Sequence, residues 1–156
     1  MKEVIILIGN IGSGKSTLVK QYQEKGYVVI SRDSLRYGIG GGEYVFNTKY
    51  EKIIHKTAIK MLRLFLELNV NIIIDETNVT KHLRKQYINI IRKCSIDYKI
   101  TGIELPILSK QDSVDRRMTN PHGQPNRKIW EEVWEMFNKN YESPSFDEDF
   151  NKIIKL

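Results

Sequence analysis

The chain has 156 residues, 40% hydrophobic and 28% charged, with a net charge of +6. Those values describe a globular domain with a proper core and argue against a disordered or fibrous chain. The single cysteine, Cys94, leaves no disulfide framework or cysteine-cluster metal site, and is expected to be buried and inert. No apolar run reaches membrane-spanning length and no targeting segment is legible, so the expected compartment is the cytoplasm, with no membrane partner. Glu142, Asp147, Glu148 and Asp149 lie in one stretch without Lys or Arg, so the rest of the chain is more basic than the total. A basic body fits a polyanionic partner such as nucleic acid, and it fits equally a chain that uses lysine for solubility.

Near the N-terminus, Val4-Ile5-Ile6-Leu7-Ile8 is an unbroken apolar run of the kind buried on both faces of a parallel sheet. It feeds Gly9-Asn10-Ile11-Gly12-Ser13-Gly14-Lys15-Ser16-Thr17, a match to G-x-x-x-x-G-K-[ST]. Leu18, Val19 and Tyr22 then recur at helical spacing, so the motif stands between a strand and a helix, as a phosphate-cradling loop requires. Gly9, Gly12 and Gly14 let the backbone turn its N–H groups inward, and the helix N-terminus adds the positive end of its dipole. Ser13 and Thr17 complete the cradle. Lys15 brings a cation to the β- and γ-phosphates, and the Ser16 hydroxyl is placed to ligate Mg²⁺. The expected ligand is a nucleoside triphosphate, ATP, with Mg²⁺.

The P-loop helix is predicted to stop at Gly26. Tyr27-Val28-Val29-Ile30 reads as a second buried strand that delivers Ser31-Arg32-Asp33-Ser34-Leu35-Arg36 to the C-terminal edge of the sheet, where open α/β sheets bind ligands. Gly38 and Gly40-Gly41-Gly42 predict a connection without regular structure. A long helix follows with Tyr50, Ile54, Thr57 or Ala58, Met61, Phe65 and Leu68 as its core face, ending at Asn69 or Asn71. Ile72-Ile73-Ile74 is a third buried strand, emptying into Asp75-Glu76-Thr77-Asn78. Thr80 caps a helix with Leu83, Tyr87, Ile90 and Ile91 on one face, and residues 98–105 read as a fourth strand. Ser109 caps a helix to Met118, and 119–126 is a loop. The last helix carries Ile129, Val133, Met136 and Phe137, with Trp130 and Trp134 favoured for helix-to-sheet packing over a base-stacking role. Phe150 and Ile153-Ile154 suggest a closing strand. With no repeat or linker, residues 1–156 are expected to form a single domain. It is a three-layer α/β P-loop NTPase fold with a parallel sheet of four to five strands and a helical lid at about 109–128.

A P-loop alone specifies only a nucleotide. Asp33 and Arg36 are the candidates for the second half of the site. If a helix opens near Asp33, their separation sets both on one face at the P-loop edge. There a carboxylate can take the proton of an incoming hydroxyl, and a guanidinium can hold an anionic group of that acceptor. A helix-capping Asp33 with a surface Arg36 fits the same spacing. His55 and His122 are expected as surface or partner contacts rather than catalysts.

The P-loop, Ser31-Arg32-Asp33-Ser34-Leu35-Arg36 as a [SN]-R-D-x-x-R signal, and Asp75-Glu76-Thr77-Asn78 as a D-T-N-like turn together resemble the P-loop polynucleotide 5′-kinases of the bacteriophage type. The order of the helices matches as well, over nearly the whole chain. The resemblance implies Asp33 as general base toward a polynucleotide 5′-OH and Arg36 on the phosphate 3′ to the accepting nucleotide. It implies Thr77 and Asn78 along the acceptor channel and Glu76 orienting Arg36, while Asp75 stands where a generic P-loop ATPase places a Walker B carboxylate, a position open to a metal role through water. The lid departs from the family, which has an Arg–Asn pair and a further Arg one turn later. Here Arg116-Arg117 stand at the pair and Asn120 at the later position. The arginine role then falls to Arg116 or Arg117, with Arg127 a further candidate, or the kinase is weak. No D-x-D-x-T phosphatase motif is present, so 3′-phosphate removal is not expected, and a separate phosphatase or ligase is the partner to look for. The reading is an ATP-dependent kinase of 5′-hydroxyl ends of RNA or DNA. Its alternatives are a kinase of a small molecule (a nucleoside, sugar acid or aminoacyl-tRNA group) and a nucleotide-dependent module that binds nucleic-acid ends.

Overall fold

Strand β1 (Glu3–Ile8) has no face that can meet water: Val4 through Ile8 are each at most 1% exposed. It therefore sits in the middle of the sheet, with β3 (Ile72–Ile74) on one side and β4 (Lys99–Glu104) on the other. β2 (Val28–Ile30) and β5 (Lys152–Lys155) form the edges, giving the order β2-β3-β1-β4-β5 with every neighbouring pair parallel. This computed structural model describes residues 1–94 and 97–156.

Alternation along β1 divides the core into two layers. Val4, Ile6 and Ile8 face the side where Ala58, Leu62 and Leu66 of α3 (Thr48–Glu67) and Tyr87, Ile88 and Ile91 of α4 (Lys81–Cys94) pack. Ile5 and Leu7 face the other side, against Leu18, Val19 and Tyr22 of α1 (Lys15–Glu24). Each such fully buried aliphatic side chain contributes about 1.5–3 kcal/mol, so β1 cannot slip register without losing both layers at once. Between β2 and α3 lies α2 (Arg32–Ile39), and after β4 come α5 (Lys110–Met118) and α6 (Arg127–Lys139). The α/β class, the parallel sheet and the five strands agree with the sequence reading.

Several local expectations change. Gly38 lies inside α2, which ends only after Ile39. On α3 the buried row is Ile54, Ala58, Leu62 and Leu66, a straight run of four-residue steps, whereas Tyr50 and the C-cap residue Leu68 are exposed. Asn69 ends this helix with φ +51. Cys94, the last residue of α4, is exposed rather than buried. No residue of α6 is fully buried, because this helix packs on α5 instead of the sheet.

The acidic tail is not free. Arg84 of α4 has no exposed side-chain surface and forms a bidentate pair with Glu148, Nε to Oε2 at 2.7 Å and Nη2 to Oε1 at 2.8 Å. Its Nη1 donates to the carbonyls of Asn78 and Glu142, both at 2.9 Å. Arg92 reaches Asp149 and Lys81 reaches Asp147, so the acidic stretch neutralises basic side chains of α4. Part of the apparent basic excess is thus spent inside the molecule. Gly102 in β4 completes this end: a Cβ there would lie 3.1 Å from the ring of Phe150, which needs the space.

Arg84→Ala strands the Glu148 carboxylate in the interior and should destabilise the protein by about 3–5 kcal/mol. Lys81→Ala removes only an exposed pair and should cost about 1 kcal/mol or less. Urea denaturation of the two variants checks the contrast.

Candidate active site

The P-loop is held from three directions. Gly14, at φ +102, caps α1, and Gly12, at φ +64, passes so close to α5 that a Cβ there would sit 2.2 Å from the Ser113 carbonyl oxygen. At its start, the Gly9 amide donates to the Thr77 carbonyl at 2.9 Å, fixing the loop to the end of β3. The Asn10 side-chain amide donates to the Trp134 carbonyl at 3.1 Å and fixes it to α6. Lys15 Nζ donates to the carbonyls of Gly9, 2.9 Å, and Asn10, 2.7 Å, which bends the ammonium over the cradle formed by the loop and the α1 N-terminus.

Two cavities adjoin at this edge of the sheet. One, of about 520 Å³, is lined by Gly12, Ser13, Gly14, Lys15, Ser16 and Thr17 on its floor and by Arg116, Arg117 and Asn120 opposite. The other, of about 580 Å³, runs between Arg32, Asp33, Arg36, Tyr44 and Phe46 on one wall and Ile129, Trp130, Val133, Met136 and Phe137 of α6 on the other. Lys15, Asp33, Asp75, Arg117 and His122 line both. A group passing from the phosphate cradle into the second cleft must cross between these five side chains.

Asp33 and Arg36 share one face of α2, as the spacing predicts, and are ion-paired at 2.6 Å. Tyr44 donates its hydroxyl to the same Asp33 Oδ1 at 2.8 Å. Burial pushes the Asp33 carboxyl up, but the Tyr44 hydroxyl and Arg36, aided by His122, outweigh it and hold the group below the usual carboxylate range. Arg36 is oriented by Glu51, with Nε to Oε1 at 3.0 Å and Nη2 to Oε2 at 2.5 Å. Glu76, expected to orient Arg36, is instead the partner of Arg32, whose Nε lies 2.7 Å from Oε1 and 2.6 Å from Oε2. The swap follows from helix geometry: Arg32 opens α2 next to β3, whereas Arg36 lies one turn on and faces α3.

Thr77 lines the second cleft. Asn78 lines neither cavity; it is 2% exposed, sits at φ +46 and donates its side-chain amide to the Leu7 carbonyl at 2.9 Å. It is a brace between strands rather than a channel wall. Asp75 projects toward Lys15. Burial lifts its carboxyl above the usual range and pulls the Lys15 ammonium below its own, each tempered by the other's charge.

The lid arginines separate. Arg117 borders both cavities, lies over the Trp130 ring at 5.0 Å and has a buried Nε without a hydrogen-bond partner among the described residues. Burial lowers its pKa, against the pull of Asp33. Arg116 is exposed and borders the phosphate cavity alone. Arg127 borders neither cavity and pairs with Asp115 and Glu131 on the surface. Trp130 faces the cleft and not the sheet, donating its indole N–H to the Gln124 carbonyl at 2.9 Å. His122, expected outside, points in. Glu51, Tyr44 and His122 are the side chains that motif reasoning missed; Arg32 lay inside the quoted motif without a role.

This strand–loop–helix cradle facing a second, charge-lined cleft defines a P-loop kinase. The family described as AAA domain matches residues 4–144, and the chain belongs to it. One relative, a protein of Acanthamoeba polyphaga mimivirus named as a bifunctional polynucleotide phosphatase/kinase, is 26% identical over 97% of this chain but only 32% of its own length. An L-seryl-tRNA(Sec) kinase of Methanococcus maripaludis is 26% identical over 67% of this chain and 42% of its own length. The chain thus spans well under half of either relative. Among solved structures, a component of the Pnkp1/Rnl/Hen1 RNA repair complex superposes with a TM-score of 0.67 at 19% identity, over 90% of this chain and 46% of that one. At that identity the likeness is one of fold. The resemblance to polynucleotide kinases drawn from the motifs therefore finds a relative of that name, beside a kinase of another acceptor. No helix among the described residues is long and apolar enough to cross a membrane.

If Arg117 is the lid cation, Arg117→Ala should lower kcat by about 10³-fold, while Arg116→Ala and Arg127→Ala stay within about threefold. Initial rates at saturating ATP for the three variants test the assignment; a full-rate Arg117→Ala would refute it.

Proposed function

We propose that this protein transfers the γ-phosphoryl group of ATP to the 5′-hydroxyl end of a polynucleotide. The observation that carries the reading is the shared wall: Asp33 and Arg117 border both the phosphate cradle and the second cleft, at the crossing a phosphoryl group must make. The mimivirus relative's name and the motif set support the acceptor class.

Lys15 and the inward N–H groups of the loop would hold the β- and γ-phosphates. Ser16 and Asp75 line the same cavity and offer hydroxyl and carboxylate oxygens, hard donors of the kind that suit Mg²⁺ carried in with the nucleotide. Ser16, second residue of α1, and Asp75 would hold it, the latter through water. Bound there, the ion would neutralise charge on the phosphate oxygens.

Asp33 Oδ1 is taken by Arg36 and Tyr44, so Oδ2 is the oxygen available to an incoming hydroxyl. Arg36 spends three of its five N–H donors on Asp33 and Glu51, leaving two for an acceptor phosphate. Arg117 would meet the equatorial oxygens of the group in flight. The apolar α6 wall suits the flat face of a base better than a sugar acid. The mimivirus relative joins phosphatase and kinase in one name, which makes a phosphatase the first partner to look for, and the fold neighbour from an RNA repair complex makes nucleic acid repair the setting to test.

Asp33→Asn should lower kcat about 10²-fold or more with ATP affinity nearly unchanged. The acceptor is tested by a panel: a 5′-OH RNA oligonucleotide, its DNA counterpart, a nucleoside, gluconate and seryl-tRNA, each with labelled ATP. Transfer to the oligonucleotides supports the proposal. Transfer only to seryl-tRNA or a small hydroxyl overturns it, and binding without transfer to any acceptor would make the chain an end-binding module.

A further inference from the structure

The loop between α5 and α6 buries a histidine that nothing in the motif set explains. His122 adopts φ +49, a left-handed conformation that a non-glycine residue holds only when its surroundings impose it. They do so here. The Gln124 amide donates to the Pro121 carbonyl at 2.9 Å, and the Trp130 indole holds the Gln124 carbonyl, so the loop turns the imidazole inward to 13% exposure. The ring stacks on Tyr44, centroids 4.8 Å apart and planes at 21°, and meets the edge of Tyr37 at 5.5 Å. Nδ1 is 2.6 Å from the Tyr37 hydroxyl. Nε2 lies 3.9 Å from Asp33 Oδ2, the oxygen left free by Arg36 and Tyr44.

We propose that His122 is a positioning residue for the catalytic base, which steers Asp33 Oδ2 toward the acceptor and removes the transferred proton from it. The inference rests on the reading of Asp33 as base, whatever the acceptor. The acceptor oxygen bonds to the γ-phosphorus while that phosphorus separates from the β,γ-bridging oxygen, whose electron pair leaves on ADP. The acceptor's proton goes to Asp33 Oδ2 and from there to His122 Nε2, with Nδ1–H donating to the Tyr37 oxygen. The imidazolium then loses the proton to water. The gap of 3.9 Å is one that closes as a site tightens around its substrate.

The charged and titratable groups facing the ring are Asp33, Arg36 and Tyr37 of α2, Tyr44 of the following connection and Arg117 of α5. Burial first, then Arg117 and Arg36, push the imidazole below its ordinary value of 6.5, against the pull of Asp33. The resting ring is therefore neutral at pH 7 and able to accept. Asp33 is held below its ordinary 3.8, which weakens its hold on an incoming proton.

The test is the pH dependence of kcat, at saturating ATP and whichever hydroxyl acceptor the wild type phosphorylates. His122→Gln keeps a polar group near Asp33 but cannot take a proton. Its kcat should fall about 10-fold or more near neutrality with KM for ATP within about threefold. Its acid limb should move from the histidine range to the carboxylate range. His122→Ala should regain rate on addition of imidazole. An acid limb unchanged in His122→Gln, or a uniform loss across pH without rescue by imidazole in His122→Ala, overturns the inference. The base reading fails separately, if Asp33→Asn keeps full rate.

Discussion

The amide of Asn78 ties the two halves of the site together. It donates to the Leu7 carbonyl near the end of β1, while the next residue back, Thr77, accepts from the Gly9 amide at the mouth of the P-loop. The pair locks the start of the phosphate loop to the end of β3, in a place where a backbone group left unpaired would cost about 1–3 kcal/mol. Because Asn78 sits at positive φ, it also turns the chain out of the sheet toward Thr80, whose hydroxyl accepts from the Leu83 amide as α4 begins. Arg84 then grips the Asn78 carbonyl from α4 and, through Glu148 and the Glu142 carbonyl, fastens the tail behind it. The far C-terminal segment is in this way part of the support for the P-loop.

From that frame the charges follow. Asp75, Glu76 and Asp33 are brought to one sheet edge by β3 and β2, and there the charges of Asp33 and Glu76 act repulsively on Asp75. The structure assigns each a cation: Lys15 opposite Asp75, Arg32 on Glu76 and Arg36 on Asp33. Arg117 differs: it has no ion pair among the described residues, lies over the Trp130 ring and donates Nη1 to the Asn120 carbonyl at 3.4 Å, while its buried Nε is left over. A desolvated guanidinium with spare donors between two cavities is the feature on which the proposed lid role of Arg117 rests.

Much of the frame was legible because it obeys local rules. Continuous β-branched runs meant buried parallel strands, the glycine spacing meant a cradle, and Ser109 and Thr80 announced their helices by side-chain caps. The R-D-x-x-R spacing brought Asp33 and Arg36 to one face because it is a helical turn. What failed was pairing across elements. Nothing in the chain order says that Glu51 of α3, and not Glu76, meets Arg36, or that a tail carboxylate is the buried partner of Arg84. Trp130 and the other large side chains of α6 read as core because hydrophobic periodicity reports that a face is covered, not whether protein or a cleft covers it. His122 was missed for a related reason: a lone histidine in a turn-rich loop carries no signal until the loop's fold aims it.

In the proposed role of Asp33, a carboxylate held below its usual range looks like a poor choice of base, since its hold on a proton is weak. In a loose phosphoryl-transfer transition state, however, the acceptor hydroxyl has formed little bond to phosphorus and remains a poor acid until late. What the site then needs is an oxygen fixed in line with the phosphorus and ionised at all working pH values, more than a strong proton acceptor. On the proposed reading Arg36 and Tyr44 serve both ends by clamping Oδ1, and that clamp outweighs burial in lowering the pKa. With Oδ1 clamped, Oδ2 is the oxygen turned toward His122, so what stands on that side decides where a proton taken by the carboxylate goes next.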